Sequence, residues 1–286
     1  MPAKVLQRAP VLRALAGLGG AWPATILVTL FFVVPVVVLL LRSVTEPEPG
    51  LQNYAALFGD GTYARVFFNT FLVASIVTAV TIVLAFPVAW MLAIMPPALA
   101  SIVFGVIILS MWTNLLTRTY AWMVLLQRTG VINRTLIDLG VIDEPLPLIN
   151  NLTGVTIGMV YIMLPFMILP LVGTLRAIDP MTLRAAALCG AAPFAVFRRI
   201  LLPLSLPGIA AGGLMIFVMS LGYFVTPALL GGTANMMLAE MIAQMIQSLL
   251  NWGLGSAAAF ILLAVTMALY ALQLRLVGAK RLAGGV

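Results

Sequence analysis

The sequence contains no histidine, one cysteine, Cys189, and two lysines, Lys4 and Lys280. Without histidine, the chain has neither an imidazole ligand for zinc nor an imidazole base for a catalytic triad. A single cysteine rules out an internal disulfide. Neither lysine ends a G-x-x-x-x-G-K-[ST] loop, so the chain cannot bind ATP by that route. We therefore expect no metal, no cofactor and no catalytic residues on this chain.

Charged residues are also scarce, at 8% of the 286 residues, whereas a soluble domain carries roughly 25%. Hydrophobic residues make up 63%, which is too many for the surface of a protein in water. The net charge of +7 is confined to a few loops and the two ends, so we expect no nucleic-acid partner. The composition predicts an integral membrane protein whose surroundings are the lipid bilayer.

Long apolar runs are the main feature that is present. About 20 apolar residues span a bilayer as a helix, and six runs reach that length. They cover about 22–41, 66–95, 99–120, 152–175, 204–229 and 254–276. The fold class is therefore an all-α polytopic membrane protein with about six transmembrane helices. Short helices at the membrane face are expected in 122–150, and an amphipathic helix in 236–251 with Glu240 and Gln244 on its polar side.

Basic residues indicate the orientation. With six spans, the two ends, the turn at Pro96 and the loop after the fourth span share one side, which carries ten basic residues and one acid. The other side carries five basic residues and seven acids. Because basic residues mark the cytoplasm, we expect the N- and C-termini and this loop to be cytoplasmic.

The loop after the fourth span is basic and has helix signals. Asp179 suits an N-cap, Pro180 suits a first helical turn, and Gly190 suits a helix end. Pro193 then suits the start of a second short helix, which Pro203 should end. The pattern predicts two short helices that form a docking element, although an ordinary basic loop fits the same spacing.

The loop also follows the pattern E-A-A, three residues, glycine, nine residues, I/V-x-L-P. The residues in register are Ala185, Ala186, Gly190, Ile200, Leu202 and Pro203. The chain resembles the permease subunits of binding-protein-dependent ABC importers, most closely the spermidine/putrescine type. The resemblance covers about 22–276 and includes 118–122, 130–133 and 203–209. Arg184 stands where the family has glutamate, which reverses a charge.

This resemblance implies a type I ABC importer permease fold in the bacterial inner membrane, with the loop acting as the coupling helix. It implies a second permease subunit in a heterodimer, a periplasmic substrate-binding protein, and two cytoplasmic ATPase subunits that use ATP and Mg. The chain itself would then not be an enzyme. The cargo would be a small polar solute, with a polyamine such as spermidine or putrescine as the first choice. Amino acids, opines and phosphonates are the alternatives.

The implied division of the chain has three parts. Residues 1–65 would hold the cytoplasmic N-terminus, the first transmembrane helix and a periplasmic connection. Residues 66–276 would form the transmembrane domain, with five helices and the coupling loop at 177–203. Residues 277–286 would form a cytoplasmic tail.

Two sets of site residues follow from these expectations. The ATPase-docking set comprises Arg184, Ala185, Ala186, Gly190, Ala191, Phe194, Phe197 and Arg198. Its small residues would allow close approach, its phenylalanines would fill a groove, and its arginines would meet acidic groups. The substrate-path set comprises Trp112, Tyr161, Tyr223 and Thr226. Aromatic rings and hydroxyls can attract a cation, although packing or anchoring at the membrane interface is the commoner role of each of these residue types.

Two other functional classes compete with an importer subunit. A secondary carrier would work without an ATPase, but no span carries a charged residue near its centre, where ion-coupled carriers usually have one. A membrane enzyme is disfavoured because the chain lacks histidine, a metal cluster and buried paired carboxylates.

Overall fold

The computed structural model describes residues 22–283, so the predicted N-terminal segment 1–21 and the last three residues lie outside the described residues. Between these limits the chain forms helices and no strand, which confirms the all-α class. The helices are α1 (Trp22–Thr45), α2 (Gln52–Gly59), α3 (Gly61–Ile94), α4 (Pro97–Met111), α5 (Leu115–Leu126), α6 (Val131–Asp138), α7 (Leu152–Arg176), α8 (Pro180–Leu188), α9 (Pro193–Leu221), α10 (Val225–Leu230), α11 (Leu238–Gln247) and α12 (Trp252–Ala283).

Five of these helices, α1, α3, α7, α9 and α12, are long and apolar enough to cross a membrane. The span predicted over 99–120 is broken in the structure, because α4 meets the helical stretch Leu115–Asp138, which begins with α5, at an angle of 94°. The turn is stabilised by Asn114, whose side chain accepts hydrogen bonds from the backbone N–H groups of Leu116 and Thr117. Asparagine favours this N-cap position over a helix interior, so a new helix starts here. If α4 and α5 count as one broken span, the total is six.

Helices α3, α7 and α9 pack together at the centre of the fold. About 61% of the most apolar stretch of α7 is buried, compared with 0% for α1. Met159, Met163 and Met167 recur every four residues on α7 and are fully buried, which gives this helix a continuous core face. Helix α1 instead packs along α12 at the edge.

The second half of the predicted coupling loop differs from expectation. Pro203 does not end a separate short helix, because α9 runs without a break from Pro193 to Leu221. A π-helical turn at Phe197–Leu201 ends two residues before Pro203, and such turns relax the hydrogen-bond ladder where proline lacks an N–H group. The predicted fifth span, 204–229, therefore starts earlier and ends earlier, and α10 is a separate short helix.

The other predicted helices are present, although some of their ends are shifted along the sequence. Helix α3 begins at Gly61, where the Asp60 carboxylate accepts a hydrogen bond from the Thr62 N–H at 2.8 Å. The predicted domain boundary at residue 65 thus falls inside α3. The short helices expected in 122–150 are present as the end of α5 and as α6. Helix α12 continues to Ala283, into the predicted tail.

Candidate functional site

Helix α8 has the ends that its sequence predicts. The Asp179 carboxylate accepts a hydrogen bond from the Met181 N–H at 2.9 Å, and Pro180 is the first helical residue. Gly190 follows the helix with φ of +80°, a left-handed conformation that glycine adopts without steric cost. None of the residues of α8 is buried, so the whole helix stands open on one end of the molecule.

We use the term coupling surface for α8 together with the first turns of α9, Pro193–Leu201. The two large apolar side chains with the greatest exposure on this surface are Leu188, which is 89% exposed, and Phe194, which is 71% exposed. Leu188 was missed by the sequence analysis, although as the last residue of a capped, basic helix it could have been included. Arg184 and Arg198 are exposed beside them. Among the side chains that the structure describes, one ion pair is found, Arg42–Glu46, so Arg184 and Arg198 have no acidic partner in this set.

Phe197 contacts the rest of the chain as well as its neighbour. Its ring meets the Phe86 ring of α3 edge-on, with centroids 5.7 Å apart, and it stacks with Phe194 at 6.4 Å. The start of α9 is therefore attached to α3 through an aromatic contact. Among the small residues of the predicted docking set, Ala185 and Gly190 are exposed. Ala186 and Ala191 are half-buried.

A cavity of about 330 Å³ separates α8 from the ends of α3 and α7. Trp90, Arg176 and Arg184 are among its lining residues. The Arg176 guanidinium donates a hydrogen bond to the Leu92 carbonyl at 3.2 Å, which ties the end of α7 to α3. Beside this cavity, the partly buried Leu183 packs on the core and joins the middle of α8 to the bundle.

Two of the predicted substrate-path residues lie at one junction of α5, α7 and α10. The Tyr161 ring packs edge-on against Trp122 at 5.6 Å, and the Thr226 and Thr119 hydroxyls are 3.3 Å apart. Thr119 and Trp122 are three residues apart on α5 and share a face of that helix. Thr226 is fully buried and has a hydroxyl partner, which is the arrangement of a packing residue.

The other two path residues differ in position. Trp112 is 84% exposed at the bend between α4 and α5. Tyr223 lies in the connection between α9 and α10, and its side chain forms a hydrogen bond with that of Thr226, so it adjoins this junction. The role of all four side chains in a path stays a prediction.

The predicted position of Glu240 on the polar side of an amphipathic helix is wrong, because only 8% of this side chain is exposed. Gln244 is exposed, as expected, and Gln247 is exposed as well. The cause is a tertiary contact: the Leu238 N–H donates a hydrogen bond to the buried Thr70 hydroxyl of α3 at 2.8 Å, which draws the first turn of α11 into the fold.

Comparisons with known proteins agree on the family. Residues 98–281 match the family described as binding-protein-dependent transport system inner membrane component. The spermidine/putrescine transport system permease protein PotB of Haemophilus influenzae is 36% identical over 219 residues, covering 77% of this chain and 76% of that protein. PotB of Escherichia coli is 36% identical over 207 residues, covering 72% and 75% respectively.

The fold has a solved counterpart. A crystal structure of a bacterial alginate ABC transporter, in complex with an alginate pentasaccharide-bound periplasmic protein, contains a chain similar to this one with a TM-score of 0.72. The two chains are 15% identical, and the match covers 92% of this chain and 94% of that one. The family match and the permease relatives confirm the predicted resemblance: the chain belongs to the family of binding-protein-dependent transport system inner membrane components, the membrane permeases of ABC importers.

Proposed function

We propose that this chain is one of two permease subunits of an importer for polyamines such as spermidine or putrescine. The similarity to PotB proteins over about three quarters of the chain supports the cargo class. A periplasmic binding protein would deliver the polyamine to the face opposite the coupling surface. The second permease subunit would be a different chain.

Two separate cytoplasmic ATPase subunits would drive transport with the free energy of ATP binding and hydrolysis, for which they use Mg. The single observation that carries this assignment is the open coupling surface. There, exposed Leu188 and Phe194 lie beside Arg184 and Arg198, which have no acidic partner among the described residues. Exposed apolar side chains next to unpaired charges are typical of a binding surface. The excess of basic residues on this side supports a cytoplasmic position for it and for both termini.

The continuity of α9 suggests how motion enters the membrane domain. This helix has 29 residues, which corresponds to about 43 Å at 1.5 Å per residue, and it begins on the coupling surface. A displacement imposed on its first turns by closing ATPases therefore acts directly on a spanning helix. The Phe197–Phe86 contact passes the same displacement to α3.

Reconstitution tests this function. The chain would be incorporated in proteoliposomes with its second permease subunit and ATPase subunits, and uptake of labelled spermidine would be measured with the binding protein present. We expect uptake that needs ATP on the ATPase side and resists ionophores that dissipate ion gradients. Uptake without the ATPase subunits would identify a secondary carrier. ATP-dependent uptake of an amino acid, opine or phosphonate instead of spermidine would correct the cargo alone.

A further inference from the structure

Glu240 is the one buried acid of this chain. All eight Asp and Glu residues lie within residues 22–283, and the other seven are exposed or half-buried. The Glu240 Oε2 atom is shielded from solvent and has no hydrogen-bond partner among the described residues. It also has no cationic partner there, since the one ion pair is Arg42–Glu46. Burying a carboxylate without a hydrogen-bond or charge partner costs desolvation free energy. We therefore expect the Oε2 atom to bind a ligand or a partner protein that lies outside this chain.

A role in helix capping explains only part of this arrangement. Met237 is the N-cap of α11 and Glu240 is its third residue, the position from which a glutamate reaches back to the N-cap N–H. The Met237 N–H lowers the pKa of the Glu240 carboxyl, but burial raises it more. A cap uses one oxygen and needs no charge, because a glutamine oxygen accepts the same hydrogen bond. Capping therefore leaves the buried Oε2 and the negative charge unexplained.

The position of Glu240 is fixed by contacts with α3. Besides the Leu238–Thr70 hydrogen bond, the Asn69 side-chain amide donates to the Ala234 carbonyl at 3.0 Å, just before α11. Thr70 lies nine residues into α3, about 14 Å along its axis from Gly61. Phe86, which contacts the coupling surface, lies sixteen residues further, or about 24 Å. With the coupling surface in the cytoplasm, Glu240 lies in the outer half of the protein.

We propose that Glu240 binds an ammonium group of the cargo after the binding protein releases it into the outer half of the permease. The proposal rests on the proposed polyamine cargo. A primary ammonium has three N–H donors and no acceptor, which suits an unpaired carboxylate oxygen. A hydrogen bond in which both groups are charged is about twice as strong as a neutral one, and strongest where water is excluded. The same negative charge would repel phosphonates and other anions.

The test replaces Glu240 by glutamine in the assembled importer. Spermidine uptake into proteoliposomes is measured with the second permease, ATPase and binding-protein subunits present. We expect uptake by Glu240→Gln to fall about 10- to 100-fold, the effect of losing a hydrogen bond to a charged group. Basal ATP hydrolysis and the amount of assembled complex should stay at the wild-type level. Glu240→Asp, which keeps the charge on a shorter side chain, should retain an intermediate rate.

Glu144→Gln is the matched control, because Glu144 is an exposed acid on the same predicted side and should be dispensable. Because glutamine keeps the acceptor for Met237, a purely structural role predicts wild-type uptake by Glu240→Gln, and that result overturns the proposal. Loss of the second permease subunit from the purified Glu240→Gln complex would show that the carboxylate pairs with that subunit instead, and would also overturn it. If the wild-type importer moves no spermidine, the polyamine assignment fails first and the Glu240 assignment fails with it.

Discussion

Helices α8 and α11 contact opposite ends of the bundle and make an instructive pair. Both are about ten residues long, and the sequence predicts a short helix for each. Helix α8 buries none of its side chains, whereas α11 buries Leu238, Glu240, Met241 and Met245. The difference shows that α11 packs within its own chain, whereas α8 remains accessible to another protein, as the proposed function requires.

Two glycines of α7 differ in the space around them. At Gly154, an added Cβ would lie 2.7 Å from the Leu148 carbonyl oxygen and 3.1 Å from that of Leu230. Gly173, near the other end of α7, has nothing within 4 Å of an added Cβ. This difference is local, since an added Cβ at Gly208 of α9 would lie 2.4 Å from the Thr174 hydroxyl oxygen. Substitutions on the coupling surface and at Gly154 should therefore fail in different ways, the first in ATPase binding and the second in folding.

The largest effect is expected from Phe194→Asp on the coupling surface. Phe194 is 71% exposed, so the change should leave the permease folded in the membrane while placing a charge where an apolar side chain is to be buried. Loss of one central aromatic contact typically costs 2 kcal/mol or more, or about 30-fold, so uptake should fall at least that far. Uptake is measured in proteoliposomes at matched permease content.

The matched variant for this prediction is Phe194→Leu, which keeps an apolar side chain and should retain most of the uptake. Phe197→Asp should abolish uptake too, but it would also break the contact with Phe86. Normal uptake by Phe194→Asp would mean that the open end is not where the ATPase binds.

The next effect is on folding, at Gly154. Gly154→Ala pushes a methyl group against two backbone carbonyls that cannot rotate away, and overpacking of this kind costs about 1–3 kcal/mol. We expect a lower unfolding temperature in detergent and less permease in the membrane. Gly173→Ala on the same helix is the control, and it should be neutral or stabilising because alanine favours helices. Equal stability of the two variants would contradict the packing difference between Gly154 and Gly173.

A smaller loss is expected from Thr70→Val, which removes the acceptor for the Leu238 N–H at nearly constant volume. One buried N–H is left unpaired, at a cost of about 1–2 kcal/mol. Uptake and stability should fall together, because the first turn of α11 loses its attachment to α3. Thr70→Ser restores the hydroxyl and should restore both. If Thr70→Val behaves like the wild type, α11 is not held by this bond.

These expectations depend on features that the sequence revealed to different degrees. Local signals were sufficient where neighbours in sequence decide the structure, as for the Asp179 cap and the turn at Gly190. Hydropathy located the apolar runs but could not detect a change of direction, so the bend at Asn114 was missed. The π turn that accommodates Pro203 is likewise invisible in composition. Glu240 was misplaced because its burial depends on Thr70, which is 170 residues away in sequence.

The smallest effect concerns Arg184, which occupies the position of the family's glutamate. Its side chain is exposed, and its guanidinium donates a weak hydrogen bond to the Met181 sulfur at 4.0 Å. An exposed ion pair with an acidic group of the ATPase is worth about 0.2–1 kcal/mol, so Arg184→Ala should lower uptake by no more than about fivefold. Arg184→Glu should lower it further, since it turns attraction into repulsion. Arg134→Ala, at the other end of the bundle, should have no effect on ATPase binding. Higher uptake by Arg184→Glu than by the wild type would contradict this expectation. It would show that the ATPase presents a basic group to this position, so that Arg184 is repelled there and the glutamate typical of the family is the better match.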